Sequence, residues 1–311
     1  MILRILLALA CAAAISQARA EVELSGKAEA IDLWPHVLLL SDPQRTLPLE
    51  QAIAARERFA PPRGAYATLG MQKEVAWLRI PYKVGPGGAG TWVFEIDYSL
   101  LQRIDLYVLR EGRVVHKAAM GNGLPFAERP IRGRNHAAAI ELPADHAGEI
   151  LLRIDTPGAR IVPLWMSRIS AFHADAMLEQ LLQGALGGLG VFLLVFSLVQ
   201  WYHLRESLYL KYALLVACST VFSLHFFGIG EMYFWKDLEW VDQHFAGITS
   251  MLAAAATALF VEEALRGELH RWLRRGLRAL AMAPGRPMSA GARPVVVMKI
   301  ATARMSIRSI A

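Results

Sequence analysis

Across residues 92–98 every even position is large and apolar, Trp92, Phe94, Ile96 and Tyr98, while the positions between them are mostly charged. Successive side chains of a strand point to opposite faces, so this alternation predicts a strand with one buried face. Residues 103–108 repeat the pattern, 149–155 do so more loosely, and 75–82 and 136–142 are shorter candidates. Turn-forming groups separate these runs: Gly85-Pro86-Gly87-Gly88, Glu111-Gly112, Gly121-Asn122-Gly123, Arg132-Gly133-Arg134-Asn135 and Asp155-Thr156-Pro157-Gly158. Many short strands at near-regular spacing, with one helical stretch at 49–59, predict an all-β antiparallel jelly-roll sandwich over residues 21–175. A segment of that length can bury a core of its own.

From residue 176 the pattern changes. No Asp, Glu, Lys or Arg occurs between Glu179 and Arg205, and residues 181–202 are mostly Leu, Val, Phe and Gly. Residues 212–230 and 243–261 are each 19 long without a formal charge. Segments of this length span the hydrocarbon of a bilayer as helices, so three transmembrane α-helices are expected within a partial membrane module at 176–283. Gly184 and Gly188 are four apart, a spacing that lets a second helix approach closely; this fits packing within a bundle, or a homodimer in which a second copy supplies the partner. His225 falls inside the second span, either hydrogen-bonded within the bundle or sensitive to protons.

Residues 1–20 combine Arg4, a short apolar run and the exit Ala18-Arg19-Ala20, the pattern of a cleaved signal peptide. Arg205 and Lys211 lie between the first two spans, Lys236 lies among four acids between the second and third, and five arginines follow from Arg266 to Arg278. Basic loops stay in the cytoplasm, which places residues 21–175 outside it and the C-terminus inside.

Charge and cysteine content narrow the functional classes. The chain carries +6 overall, but nine positive charges follow Glu268, so the preceding residues are net acidic and nucleic acid is not an expected partner; membrane lipid is. The two cysteines, Cys11 and Cys218, fall in the leader and in a span, so the sandwich has no thiols to cross-link. Metal-ligand spacing, a nucleophile with its base and a phosphate-cradling glycine loop are all missing from the pattern, so neither an enzyme nor a cofactor or metal site is expected. His36, His116, His136, His146 and His173 are scattered and read as surface residues.

Candidate ligand contacts are few. Trp77 and Arg79 are two apart and share a strand face, where ring and guanidinium could hold a sugar or carboxylate, or else fill the core and cap a sheet edge. Tyr107 shares a face with Arg103 and Asp105, read as solvated or as a binding surface, and Arg132 and Arg134 sit with Arg129 in a turn-rich basic stretch suited to an anion or simply exposed.

The ordered set Val37-Leu38-Leu39-Leu40-Ser41-Asp42-Pro43, Leu47-Pro48-Leu49-Glu50, Ala76-Trp77-Leu78-Arg79, Ile104-Asp105-Leu106-Tyr107-Val108, Leu151-Leu152-Arg153-Ile154 and Pro163-Leu164 resembles the periplasmic sensor domain of bacterial seven-transmembrane receptors with diverse intracellular signalling modules. The connection from Leu204 to Tyr212, followed by Gly228 and Gly230, resembles the membrane module of the same family. The resemblance implies a carbohydrate-binding-like jelly roll, a small extracellular ligand such as a carbohydrate or carboxylate, and relay through a helix bundle to an output domain. The pattern stops near Ala283, and the acid-free tail 284–311 is expected to be a disordered truncation or frameshift product. The rival reading is a membrane-tethered binding or structural module without signalling output.

Overall fold

The computed structural model describes residues 21–71, 73–236 and 238–266, and beyond them Trp272, residues 275–277 and Ala279. The expected leader and the tail 284–311 lie outside the described residues. The chain divides into two units, residues 1–124 with 128–172, and residues 125–127 with 173–311.

The first unit is a β-sandwich. Its elements in chain order are β1 (Val22–Leu24), β2 (Ala30–Asp32), β3 (Leu38–Asp42), α1 (Leu49–Ala54), β4 (Thr68–Gly70), β5 (Val75–Val84), β6 (Gly90–Ile96), β7 (Arg103–Arg110), β8 (Arg113–Met120), β9 (His136–Leu142), β10 (Ala147–Asp155), β11 (Arg160–Ile161) and β12 (Leu164–Arg168). One sheet has the order β1-β5-β10-β7-β8 with β3 also on β5, the second β2-β12-β6-β9, and β11 pairs with β4. Along one edge β5 pairs with β10; along the other, β3 covers residues 75–79 and β1 covers 82–84. The β1 pairing is parallel, an exception to the expected antiparallel pattern.

Alternation sets the inner faces. Leu78 and Ile80 of β5, Ile104 and Leu106 of β7, and Ile150, Leu152 and Ile154 of β10 are fully buried, as are Trp92, Phe94 and Ile96 of β6 and Met166 of β12. Burying each such side chain contributes about 1.5–3 kcal/mol, so packed side chains stabilise the domain without a cross-link. The turn Glu111-Gly112 between β7 and β8 has φ of 50° and 78°, the left-handed pair that matches a hairpin to strand twist.

The outer faces depart from the expected pattern, because they are covered too. On the first sheet α1 lies over Trp77, Tyr107, Leu109 and Leu151, and Ala52, Leu49 and Ile53 pack against them. On the second sheet Val93 and Glu95 of β6 and Trp165 and Ser167 of β12 are buried. Period-two patterning reports one apolar face; a polar face can still be covered if its groups are paired.

The second unit is helical: α2 (Ile169–Leu204), α3 (Ser207–Phe226), α4 (Ile229–Tyr233) and α5 (Glu239–Ala264). Three segments, Ile169–Leu204, Ser207–Phe226 and His244–Ala264, are long and apolar enough to cross a membrane. α2 starts twelve residues before the apolar run that marks its span, and at 1.5 Å per residue its 36 residues extend about 54 Å. Only Ser197 of α2 is buried, while Leu181 is 70% and Phe192 63% exposed, as suits a surface facing lipid. α3 ends at Phe226 rather than near residue 230, because Gly228 takes φ 73°, a conformation that stops a helix.

Shortening an inner side chain should test the core. Phe94→Ala is expected to cost the sandwich about 3–5 kcal/mol, whereas Val115→Ala, at a position 49% exposed, should stay within about 0.5 kcal/mol. Urea unfolding of the two variants measures the difference.

Candidate functional site

Strand register brings three of the candidate residues onto one sheet face. Trp77 and Arg79 of β5 lie beside Leu151 and Arg153 of β10, which face Tyr107 and Asp105 of β7. Trp77 and Tyr107 stack with ring centroids 6.3 Å apart at 21°, and both belong to the cluster beneath α1. Trp77 is 1% exposed, so its ring is core. Arg79 offers its fork to Glu149, with Nε 3.0 Å from Oε2 and Nη2 2.8 Å from Oε1, and Arg56 joins at 3.3 Å. Burial, then the neighbouring Asp105 carboxylate, push the Tyr107 hydroxyl above its ordinary pKa.

The charged end of this face is a network in which Asp105 is buried while Arg103 and Arg45 stay exposed. Arg153 reaches Asp105 at 3.4 Å and Asp155 at 3.3 Å, Arg103 reaches Asp105 at 3.4 Å, and Arg45 reaches Asp155 at 2.7 Å. Asp105 is buried, so the expectation of a solvated face is corrected: the carboxylate is taken from water because two guanidinium groups replace its hydration.

Arg132 and Arg134 lie elsewhere, before β9 of the second sheet. Arg134 donates to Asp97 at 3.1 Å, and the Asn135 amide donates to Glu95 at 2.7 Å and to Asp97 at 2.8 Å. Burial lowers the Arg134 pKa and Glu95 opposes that shift. Arg132 is exposed. The five candidates therefore fall into two groups, one on a face of the first sheet and one in the loop that precedes β9.

A cleft of about 440 Å³ lies between β8 and β9, the edge strands of the two sheets. Its polar groups are His116, Lys117 and Glu128, its floor includes Ala118, Ala119 and Ala139, and the His116 Nε2 has no hydrogen-bond partner. Sequence reasoning missed this cleft, since its walls are separated along the chain; the small side chains of Ala118, Ala119 and Ala139 are a signal that could have marked it. Among the described residues no group of three His, Cys, Asp or Glu could hold a metal ion.

His136 corrects the surface reading of the histidines. It is 1% exposed, its Nε2 is 3.1 Å from the Ser99 carbonyl oxygen, and burial, reinforced by Arg129, brings its pKa down to about 3. In the helical unit Lys211 of α3 reaches Glu263 at 2.6 Å and Glu262 at 3.5 Å of α5, and Ser207 donates to Glu263 at 2.8 Å. His225 packs against Phe245 at 5.5 Å and Trp235 at 6.2 Å, and its Nε2 has no hydrogen-bond partner.

Residues 35–168 match the family model 7TMR-DISM extracellular 2, and residues 179–285 match 7TM diverse intracellular signalling. No curated protein sequence matches the chain. Among solved structures, a GH31 α-xylosidase from Xanthomonas citri aligns with a TM-score of 0.23 at 12% identity, over 42% of this chain and 13% of that enzyme. A likeness of that size carries no argument.

The burial of His136 fixes a pH dependence. In an unfolded chain the imidazole titrates near its ordinary 6.5, whereas in the fold it titrates at about 3, so between these values the unfolded state binds the extra proton. Its contribution is fully present above pH 6.5 and is lost as pH falls, by about 1.4 kcal/mol per pH unit. Unfolding free energies measured from pH 7 to 4 should show this slope, and His136→Gln should flatten it.

Proposed function

The chain belongs to the 7TMR-DISM receptor family, a membrane receptor with an extracellular sensor domain and a helical membrane module, and from that premise we propose how it works. The sandwich stands in the periplasm of a bacterial inner membrane, binds a small carbohydrate or carboxylate, and biases the packing of the helices toward one of two arrangements. An output domain reads the difference. Such a relay requires the ligand to bind the two arrangements with different affinity.

The observation that carries the reading is the junction of strand and helix. β12 ends at Arg168 and α2 begins at Ile169, with no residue between them. Arg168 is clamped: its guanidinium lies 4.1 Å from the Trp92 ring centroid, and it donates to the carbonyl oxygens of Ala89 at 3.0 Å and Gly87 at 2.7 Å. β12 is also paired on both edges, by β2 and β6. A shift of this strand has no flexible linker in which to dissipate before the helix.

Basic residues support the orientation. Arg205 and Lys211 lie at the junction of α2 and α3, where Arg205 sits 5.0 Å from the Tyr202 ring, and Arg266 follows α5. These ends face the cytoplasm. A side chain added at Gly184 or Gly188 would meet nothing within 4 Å, which leaves that face of α2 open to a further helix of the bundle or to a second copy of the chain.

A reporter active only outside the cytoplasm should work when fused after Pro163 and fail when fused after Arg275; the reverse overturns the orientation. For the relay, sugars and carboxylates that raise the melting temperature of the full chain in detergent should slow hydrogen exchange at residues 169–172. Arg168→Ala should retain the melting shift and lose the change in exchange. If stabilising ligands leave residues 169–172 unaffected in the parent chain, the relay fails.

A further inference from the structure

Arginine forks in the sandwich usually meet acids. Arg79 closes on Glu149, Arg134 on Asp97 and Arg153 on Asp105 and Asp155. Arg160 is the contrast. It is 1% exposed and among the largest fully buried side chains, yet its Nε and Nη2 make no hydrogen bond. The acids that act on it are Glu74 and Asp155, and both are engaged elsewhere: Glu74 accepts from Ser41, and Asp155 is held by Arg45 and Arg153.

A guanidinium keeps its charge at any physiological pH, so unlike a buried lysine or carboxyl it cannot escape by neutralising. Left without an anion, it is a cost that a well-packed methionine or leucine would avoid. Its donors form a rigid planar fork, which matches the paired oxygens of a carboxylate or other oxyanion better than it matches neutral hydroxyls. Glu74 and Asp155 would repel a second negative charge, which limits the partner to a monoanion.

The surroundings give a way in. β11 is two residues long and meets β4 only at Arg160↔Gly70 and Ile161↔Thr68, with an irregularity between them. Gly70 stands across from Arg160 at φ 78°, and a side chain there would meet no atom within 4 Å. Met71 beside it is 58% exposed. Along the chain only Val162 and Pro163 separate β11 from β12, which runs into α2.

We infer that the buried fork of Arg160 is the binding site for a small monocarboxylate, admitted beside Gly70 and gripped by paired charge-assisted hydrogen bonds. This deepens the sensor reading and rests on it: the ligand class is an organic monoanion rather than a neutral sugar, held by the strand that leads into β12.

The test uses the full chain in detergent, with sodium acetate as probe against sodium chloride and sodium sulfate at equal ionic strength and against glucose. Acetate should raise the melting temperature progressively with concentration, as a ligand of the native state does, while chloride, sulfate and glucose do not. Arg160→Met should abolish the acetate shift and melt no lower than the parent in chloride, because it removes an unpaired buried charge. Arg160→Lys keeps the charge without the fork and should lose most of the shift. An acetate shift that survives in Arg160→Met, no shift in the parent, a shift with sulfate in place of acetate, or an Arg160→Met that melts well below the parent each overturns the inference. Stabilisation by glucose alone would sink the carboxylate site and leave the sensor reading standing. An acetate shift lost in Arg160→Met, without slower exchange at residues 169–172, would support the site and count against the relay.

Discussion

β5 is bonded along both of its edges, and much of the first sheet follows from that. Ten residues take β10 on one side and β3 and β1 end to end on the other, which leaves few of its backbone groups to seek partners elsewhere. Register then has no freedom. A slip of one residue would send Leu78, Ile80 and Tyr82 to the outer face and bring Arg79 and Lys83 into the core. The same register sets Trp77 under α1 and Arg79 within reach of Glu149, so the packing of the outer face is a consequence of the pairing.

Covering both faces of a sheet requires an account of every charge on it. On the first sheet most of that account closes, with Glu149 between Arg79 and Arg56, and Asp105 and Asp155 among Arg45, Arg103 and Arg153, while the Arg110 Nε at the end of β7 stays without a hydrogen bond. Each buried acid has lost water and gained guanidinium donors, a balance that favours geometry over net stability. In the helical unit Glu263 plays the same part toward Lys211, Ser207 and Arg266, tying the start of α3 to the end of α5.

How much of this could be read from the chain varied with the range of the forces involved. β5, β6, β7, β9 and β10 were legible because alternation and flanking turn residues are local. β8 was not, since its sequence Arg-Val-Val-His-Lys-Ala-Ala-Met lacks alternation and its place at an edge leaves Val114 and Val115 exposed. β1, β2 and β11 are two or three residues long and exist because a distant strand pairs with them. The spacing of Trp77 and Arg79 was readable as a shared face, but the helix that covers it was not readable as a cover. Arg160 follows Gly158-Ala159 in what looks like a turn, and nothing local marks it as buried. The spans were plain from composition, whereas their ends depended on Gly228 and on a helix that continues upstream of its apolar segment.

The pairing of β2 with β12 also sets an order of events during synthesis. Residues 30–32 find their partners only at residues 165–167, some 135 positions later. The second sheet therefore cannot close while the chain is still being made; almost the whole domain must arrive first. Contacts this far apart are slow to form, because a long loop must be closed before they stabilise anything. When β12 at last arrives, α2 is the next segment to be made, so completion of the sandwich and appearance of the first apolar helix are adjacent steps in time. Until then β6 and β9 present a half-built sheet, and a holding chaperone would find its natural client in that interval.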